Sequence, residues 1–259
     1  MNVVVCIKQV PDSWAEKQLQ PGDLTLDRAS VDAVLNDLDE YAVEAALQLT
    51  EEHGGEVTLL TMGPQRAGEA IRKALSMGAD AGVHVVDDSL HGSDALATSE
   101  VLAKALGTLT WDLVILGSES TDARMSVVPA MLAERLGAPQ LTYASTITVD
   151  GGTVTVERQT ETGVEVLTAS TPAVVSVVEK ANEPRYPSFK NIMAAKKKPV
   201  TTLTLADLGL DGATVGLGAA WSRVSEATRR PPKAAGVLVT DAGDGGTKLV
   251  EFLVEQKLV

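Results

Sequence analysis

The chain has one cysteine, three histidines and only 3% aromatic residues, and each scarcity closes off a class of chemistry. A lone Cys6 excludes an internal disulfide framework and any Cys-x-x-Cys metal site. His53, His84 and His91 are scattered, with neither metal-ligand spacing nor a triad-like grouping, and read as ordinary surface or strand histidines. Cys6 lies inside an aliphatic strand pattern and reads as a packing residue. No G-x-G-x-x-G follows the first strand, Gly216-Leu217-Gly218 is an isolated fragment in the wrong place, and no phosphate-loop G-x-x-x-x-G-K-[ST] occurs. Nothing resembles a nucleophile–base pair, so the chain is expected to carry little acid–base machinery and to act as something other than a self-sufficient enzyme. Basic residues are also in deficit. The formal net charge of −13 argues against general nucleic-acid or anionic-membrane binding. No apolar run approaches the ~18 residues of a membrane span. The sequence runs straight into a strand-like segment without signal-peptide anatomy, and a cytosolic protein is the simple expectation.

What is present is aliphatic: 44% of residues are hydrophobic, mostly Val, Leu, Ile and Ala, in a chain of 259 residues long enough for one sizeable core. Such a composition favours a parallel sheet, whose buried strands are near-continuous Val/Ile/Leu runs. Strands are predicted at 3–7, 56–61, 81–86 and 112–116, and helices at 39–52, 66–77, 93–106 and 125–136. The last three helices are punctuated by Gly78, a Ser93 or Asp94 cap, and Gly137. This alternation through the first 140 residues or so is the signature of a doubly wound α/β sheet with right-handed crossovers. After Pro139 the period changes to two. Residues 141–149, 153–160 and 164–169 read as strands joined by turns at Asp150-Gly151-Gly152 and Thr162-Gly163, followed by a buried strand at 173–178. The expected organisation is an α/β domain over residues 1–229 and a Pro-containing arm with a short helix (247–258) over 230–259. The arm has little core of its own and is expected to pack on another subunit.

Two stretches invite a functional reading. In an open parallel sheet, ligands sit at the carboxyl ends of the strands. Three such ends stand out: Lys8 to Pro11, Met62 to Pro64, and Gly117-Ser118-Glu119-Ser120-Thr121-Asp122. The last has one Gly, three hydroxyls and two carboxylates just before a helix. Backbone N–H groups there, helped by Ser120, Thr121 or Ser126, suit a phosphate, and a capped loop–helix junction is the plain alternative. The second stretch, 182–199, carries five basic residues, and after Glu183 no acidic residue until Asp207, together with Tyr186, Phe189, Ile192 and Met193. It reads either as a partner-docking element or as a solvated basic loop with its apolar side chains tucked into the core.

At these residues the sequence resembles the electron transfer flavoprotein β subunit family. The resemblance rests on VVSVVEKANEPRYPSFKNIMAAKKKPV (174–200), the opening VVVCIKQVPD, NDLDEYAVEAAL, GPQRAGEAIRKALSMGAD and DLVILGSESTD, and spans nearly the whole chain. It implies an adenine nucleotide α hydrolase-like, doubly wound sheet with an added hairpin region and an extended C-terminal arm. It implies a heterodimer whose larger α subunit holds most of the redox FAD, with a structural AMP in this chain, or a second FAD in members that bifurcate electrons. It further implies electron uptake from acyl-CoA dehydrogenases, delivery to a membrane quinone oxidoreductase and a role in fatty acid β-oxidation. The setting would be the bacterial cytoplasm, or the mitochondrial matrix in a eukaryote. Carried over by position, the cofactor residues are Cys6, Asn36, Asp37, Leu38, Asp39, Met62, Gly117, Ser118, Glu119, Ser120, Thr121, Asp122, Ser126, Val127 and Val128. Trp14 takes the place of the family's aromatic near the flavin. Where the family often has Gln at the start of the helix after Asp122, this chain has Val127 and Val128, which removes a side-chain donor for the phosphate. The docking loop would comprise Glu183, Pro184, Arg185, Tyr186, Phe189, Ile192, Met193, Lys196, Lys197 and Lys198, with Phe189 replacing the family's usual Leu anchor. A stand-alone nucleotide-binding module of the universal-stress type is the remaining alternative; it shares the sheet but leaves the basic loop and hairpins unexplained.

Overall fold

Val3, Val4, Val5 and Cys6 are all buried, which happens only to a strand covered on both faces. In the computed structural model, which describes residues 1–233 and 235–259, this strand is β1 (Asn2–Cys6) and it stands in the middle of a sheet. The described elements that follow are β2 (Gln9–Pro11), β3 (Ala33–Leu35), α1 (Asp37–His53), β4 (Glu56–Met62), α2 (Gly68–Met77), β5 (Ala81–Val85), α3 (Ala95–Leu106), β6 (Leu113–Gly117) and α4 (Val128–Leu136). After them come β7 (Gln140–Asp150), β8 (Thr153–Thr160), β9 (Gly163–Ser170), β10 (Ala173–Val177), α5 (Phe189–Ala195), β11 (Val200–Leu203), α6 (Gly216–Ala219) and α7 (Gly245–Glu255).

Among the described residues nine strands form one sheet in the order β11-β5-β4-β1-β6-β10-β7-β8-β9. The seven from β11 to β7 run parallel, and β8 and β9 add an antiparallel ribbon. Period-two side chains divide β1 between two cores. Val3 and Val5 face Ala42, Val43 and Ala46 of α1 and Ile71 and Leu75 of α2, whereas Val4 and Cys6 face Val101 and Leu102 of α3 and Leu132 of α4. Chain order runs outward from β1 to β4 and β5, then returns to place β6 on β1's other side. The crevice between the carboxyl ends of β1 and β6 is therefore the switch point of the sheet, where open α/β folds place their ligands.

The expected helix at 125–136 begins three residues later, at Val128. Arg124 and Ser126 have φ of 50° and 56°, values that a right-handed helix forbids. Asp94, one of the two expected caps, accepts from Ala97 N at 3.0 Å. The docking stretch contains a helix, α5, capped by Ser188, whose side chain accepts from Asn191 N. β11 was not anticipated: four residues with mostly exposed side chains join the edge of the sheet beside β5. β2 and β3 pair as a small separate ladder whose connection, residues 12–32, is a long excursion.

The chain divides into two units, residues 1–225 and 226–259. The second contains α7, which has no buried residue and exposes Leu249, Val250, Phe252 and Val254. The arm expected over 230–259 includes residue 234, which lies outside the described residues.

Candidate functional site

The switch-point crevice is lined by polar groups that tie three loops together. Asn36, 1% exposed, precedes α1 and bonds to both sides: its Nδ2 donates to Asp39 Oδ1 (2.9 Å) and to Glu119 O (3.0 Å), and its Oδ1 accepts from Thr121 N (3.0 Å). Asp39, in the first turn of α1, also accepts from Lys8 N at 2.7 Å and from the backbone of Gly117. Burial outweighs these donors and pushes the Asp39 carboxyl up to about 7. Gly117 is required by close approach: a Cβ there would meet Asp39 Oδ1 at 2.6 Å and the Leu38 carbonyl carbon at 2.8 Å. The first turn of α1 thus rests directly on the end of β6.

Asp122 closes the other side of the crevice. Its side chain is 1% exposed and accepts from Lys8 Nζ at 2.8 Å and Arg28 Nη2 at 2.6 Å. Those two cations hold the Asp122 carboxyl well below the ordinary range in spite of its burial. Lys8 Nζ also donates to Ser120 Oγ at 3.2 Å. Arg28 belongs to the 12–32 excursion, which lies as a strap against the loops after β5 and β6. Lys17 Nζ donates to Thr121 O (2.7 Å), Arg66 Nη1 to Arg28 O (2.8 Å), and Asp23 pairs with His91 Nε2 (2.7 Å). Lys8 and Arg28 on one side are balanced by Asp122 and by Glu119, whose carboxylate takes the Ser126 hydroxyl, and Asp39 is shifted toward its neutral form.

Two features of this loop bear on its use as a phosphate site. The hydroxyl of Thr121 is buried with no hydrogen-bond partner, between Ser120 and Asp122, whose side chains are both held by Lys8. α4 begins at Val128 with no side-chain cap, which leaves the N–H groups of Val128 and Ala130 without a side-chain acceptor, while Pro129 between them has no N–H to offer. Ser126, read from sequence as a phosphate donor, donates through its hydroxyl to Glu119 Oε2 at 3.1 Å. The structure brings together Asn36, Asp39, Gly117, Ser118, Glu119, Ser120, Thr121 and Asp122. Cys6, at the end of β1 just below, is buried, and its thiol is pushed up by burial and then by Asp39. Asp37 is exposed, Leu38 is half-buried against Gly117, and Met62 packs on the α3 side of the sheet. Trp14 is 95% exposed and lines an open cleft with Asp12, Ala29, Asp32 and Arg66, outside the polar network. Sequence reasoning missed Arg28 and Lys17, which sit in a loop of no recognisable pattern, and undervalued Lys8, whose place at the carboxyl end of the first strand was the available signal.

The second candidate, 182–198, divides into anchored and exposed residues. Tyr186 (94%), Phe189 (79%), Ile192 and Met193 are exposed, and the last three occupy one face of α5 at i, i+3 and i+4. Glu183, Lys196 and Lys197 are exposed as well. Two residues expected to meet a partner are bound within the chain instead. Arg185 pairs with Glu44 and Glu51 of α1, and Lys198 Nζ donates to the carbonyls of Leu75, Gly78 and Ala79. His84 is buried with Nε2 3.2 Å from Gly63 O, a packing arrangement.

The fold is that of an open, doubly wound α/β protein with a polar crevice at its switch point, and the segment 182–198 carries lysines and exposed apolar side chains on α5. A family model described as the electron transfer flavoprotein domain matches residues 23–208. The chain is 57% identical to the electron transfer flavoprotein subunit beta of Mycobacterium leprae, over all of this chain and 99% of that one. It is 36% identical to the same subunit of Megasphaera elsdenii (100% and 98%) and 36% identical to the caffeyl-CoA reductase-Etf complex subunit CarD of Acetobacterium woodii (100% of both). The chain belongs to the electron transfer flavoprotein β subunit family. Among the described residues no helix is long and apolar enough to cross a membrane.

Proposed function

We propose that this chain pairs with an electron transfer flavoprotein α subunit, that the redox FAD is held mainly by that subunit, and that AMP rests in the crevice between β1 and β6. The carrier accepts electrons from acyl-CoA dehydrogenases and passes them to a membrane quinone oxidoreductase. When bound, the flavin supplies the electron-carrying chemistry; AMP supplies none. The observation that carries the nucleotide assignment is the unpartnered, buried Thr121 hydroxyl beside the uncapped start of α4. Asn36 and Asp39 position the loop over the adenine, the backbone at 127–128 and Thr121 receive the phosphate, and the Lys8–Asp122–Arg28 network sets the local charge. The face of α5 is the contact with the dehydrogenase, made by apolar side chains among lysines on an otherwise acidic chain.

Co-expression with the α subunit, acid release and mass spectrometry test this reading. One FAD and one AMP per heterodimer is the expected result. Two FADs would make the protein a bifurcating carrier. Absence of any adenine compound beyond one FAD would overturn the nucleotide assignment, and a colourless homodimer would point to a stand-alone module.

A further inference from the structure

The exposed face of α5 is held from both ends by groups that no partner needs to touch. Upstream, Asn182 Nδ2 donates to Tyr41 O at 2.9 Å and Arg185 N donates to Glu44 Oε2 at 3.1 Å. The Arg185 guanidinium grips Glu44 as a fork (Nε to Oε2 2.7 Å, Nη2 to Oε1 3.0 Å) and reaches Glu51 with Nη1 and Nη2. Glu44, Gln48 and Glu51 lie at i, i+4 and i+7 on α1, and Gln48 Nε2 donates to Glu44 Oε1 at 2.9 Å. Glu44 is buried, and hydrogen bonds from Arg185 nevertheless keep its carboxyl below the ordinary range, so the pair stays ionised. Downstream, all three ammonium protons of Lys198 are matched by carbonyls at the C-terminus of α2: Leu75 (3.2 Å), Gly78 (2.9 Å) and Ala79 (2.6 Å). Ala195 is buried in the core beneath α5. Between these anchors lie Tyr186, Phe189, Ile192 and Met193, all exposed.

We propose that Arg185 and Lys198 are positioning residues for electron-donor docking. They hold 186–197 in one conformation, so that Phe189, Ile192 and Met193 meet the dehydrogenase as a preformed face, and they themselves make no contact with it. This rests on the reading of α5 as the docking face. The physical reason is preorganisation: an anchor on a loose loop must be ordered at the moment of binding, and that cost is subtracted from affinity. Both clamps use the geometry that resists exchange, a planar fork on a buried carboxylate and a threefold cap on a helix end.

The test uses the intact heterodimer, a cognate acyl-CoA dehydrogenase as electron donor, and amide hydrogen exchange on the same samples. Arg185→Gln is expected to speed exchange in 186–197 at least tenfold with β1, β4 and β6 unchanged. It should raise the KM for the heterodimer about fivefold or more with kcat and flavin content unaltered. Lys198→Met should do the same from the other end. Phe189→Ala should raise KM without changing exchange, and its effect should persist in the Arg185→Gln background, where the ordering cost comes on top of the lost contact. Because Arg185→Gln leaves Glu44 buried and unpaired, the double variant Glu44→Gln/Arg185→Gln gives the same reading if the single one does not fold. A raised KM with unchanged exchange would make Arg185 a direct partner contact and overturn the proposal. So would unchanged KM and unchanged exchange in Arg185→Gln when Phe189→Ala raises KM. Unchanged KM in Phe189→Ala would overturn the docking reading itself.

Discussion

At the scale of single residues, the two buried carboxylates of the crevice respond to pH in opposite senses. Asp39 titrates near 7 in the folded chain against an ordinary value of 3.8, so between those values the folded state holds a proton that the unfolded chain has released. Its contribution to stability is therefore present below about 4 and is lost as pH rises to about 7, at most about 1.4 kcal/mol per pH unit. Asp122 is depressed, so its contribution is present above its unfolded value and is lost as pH falls below it. Asp39→Asn should remove the decline between pH 4 and 7. It should also destabilise the chain by about 1–3 kcal/mol, because an amide cannot accept from both Lys8 N and Asn36 Nδ2. Denaturant melts of the two chains across this range measure both effects, and parallel pH profiles would contradict the assignment. That Asn36 and Asp39 belong together with 117–122 was legible in the sequence only through family resemblance. They lie about eighty positions apart, and no spacing rule connects them.

At the scale of elements, Phe189→Ala on α5 should weaken dehydrogenase docking by about 2 kcal/mol, roughly thirtyfold in affinity, with the flavin spectrum intact. Lys196→Gln with Lys197→Gln should instead slow association and flatten its salt dependence, because both head groups are exposed. Rates of flavin reduction at several ionic strengths separate the two effects. The parallel strands and the hairpins of β7, β8 and β9 were readable because aliphatic runs and Gly-containing turns announce them. What was not readable has specific causes. The start of α4 is delayed by left-handed backbone at Arg124 and Ser126, residue types that give no warning of it. α5 is masked by Pro184 and Pro187, although Ser188 was a visible cap. β11 has four residues, and only the exposed edge of β5 makes them a strand. The roles of Arg185 and Lys198 depend on carboxylates and carbonyls more than a hundred positions away, so composition suggested surface charge where the fold uses them internally.

At the scale of the whole molecule, residues 226–259 expose Val237, Leu238, Leu249, Val250, Phe252, Val254 and Leu258, more apolar surface than a short segment keeps in water without a purpose. Deletion of Lys233 to Val259 should sharply reduce recovery of the heterodimer with the α subunit while leaving the sheet folded. Co-purification yield beside circular dichroism measures this, and full recovery of the truncated chain would reject it. The chain's single thiol offers another whole-molecule measurement. Cys6 is closed in by β4 and β6 on either side, with helices across both faces of the sheet, and its proton is held tightly. A thiol reagent should therefore label about one site per chain in denaturant and almost none in native buffer, the slow residual rate being a clock for global opening. The same silence leaves the surface free for a reporter. Lys190→Cys would give the chain its one exposed thiol, one residue from Phe189, and a dye placed there would signal each encounter with an electron donor.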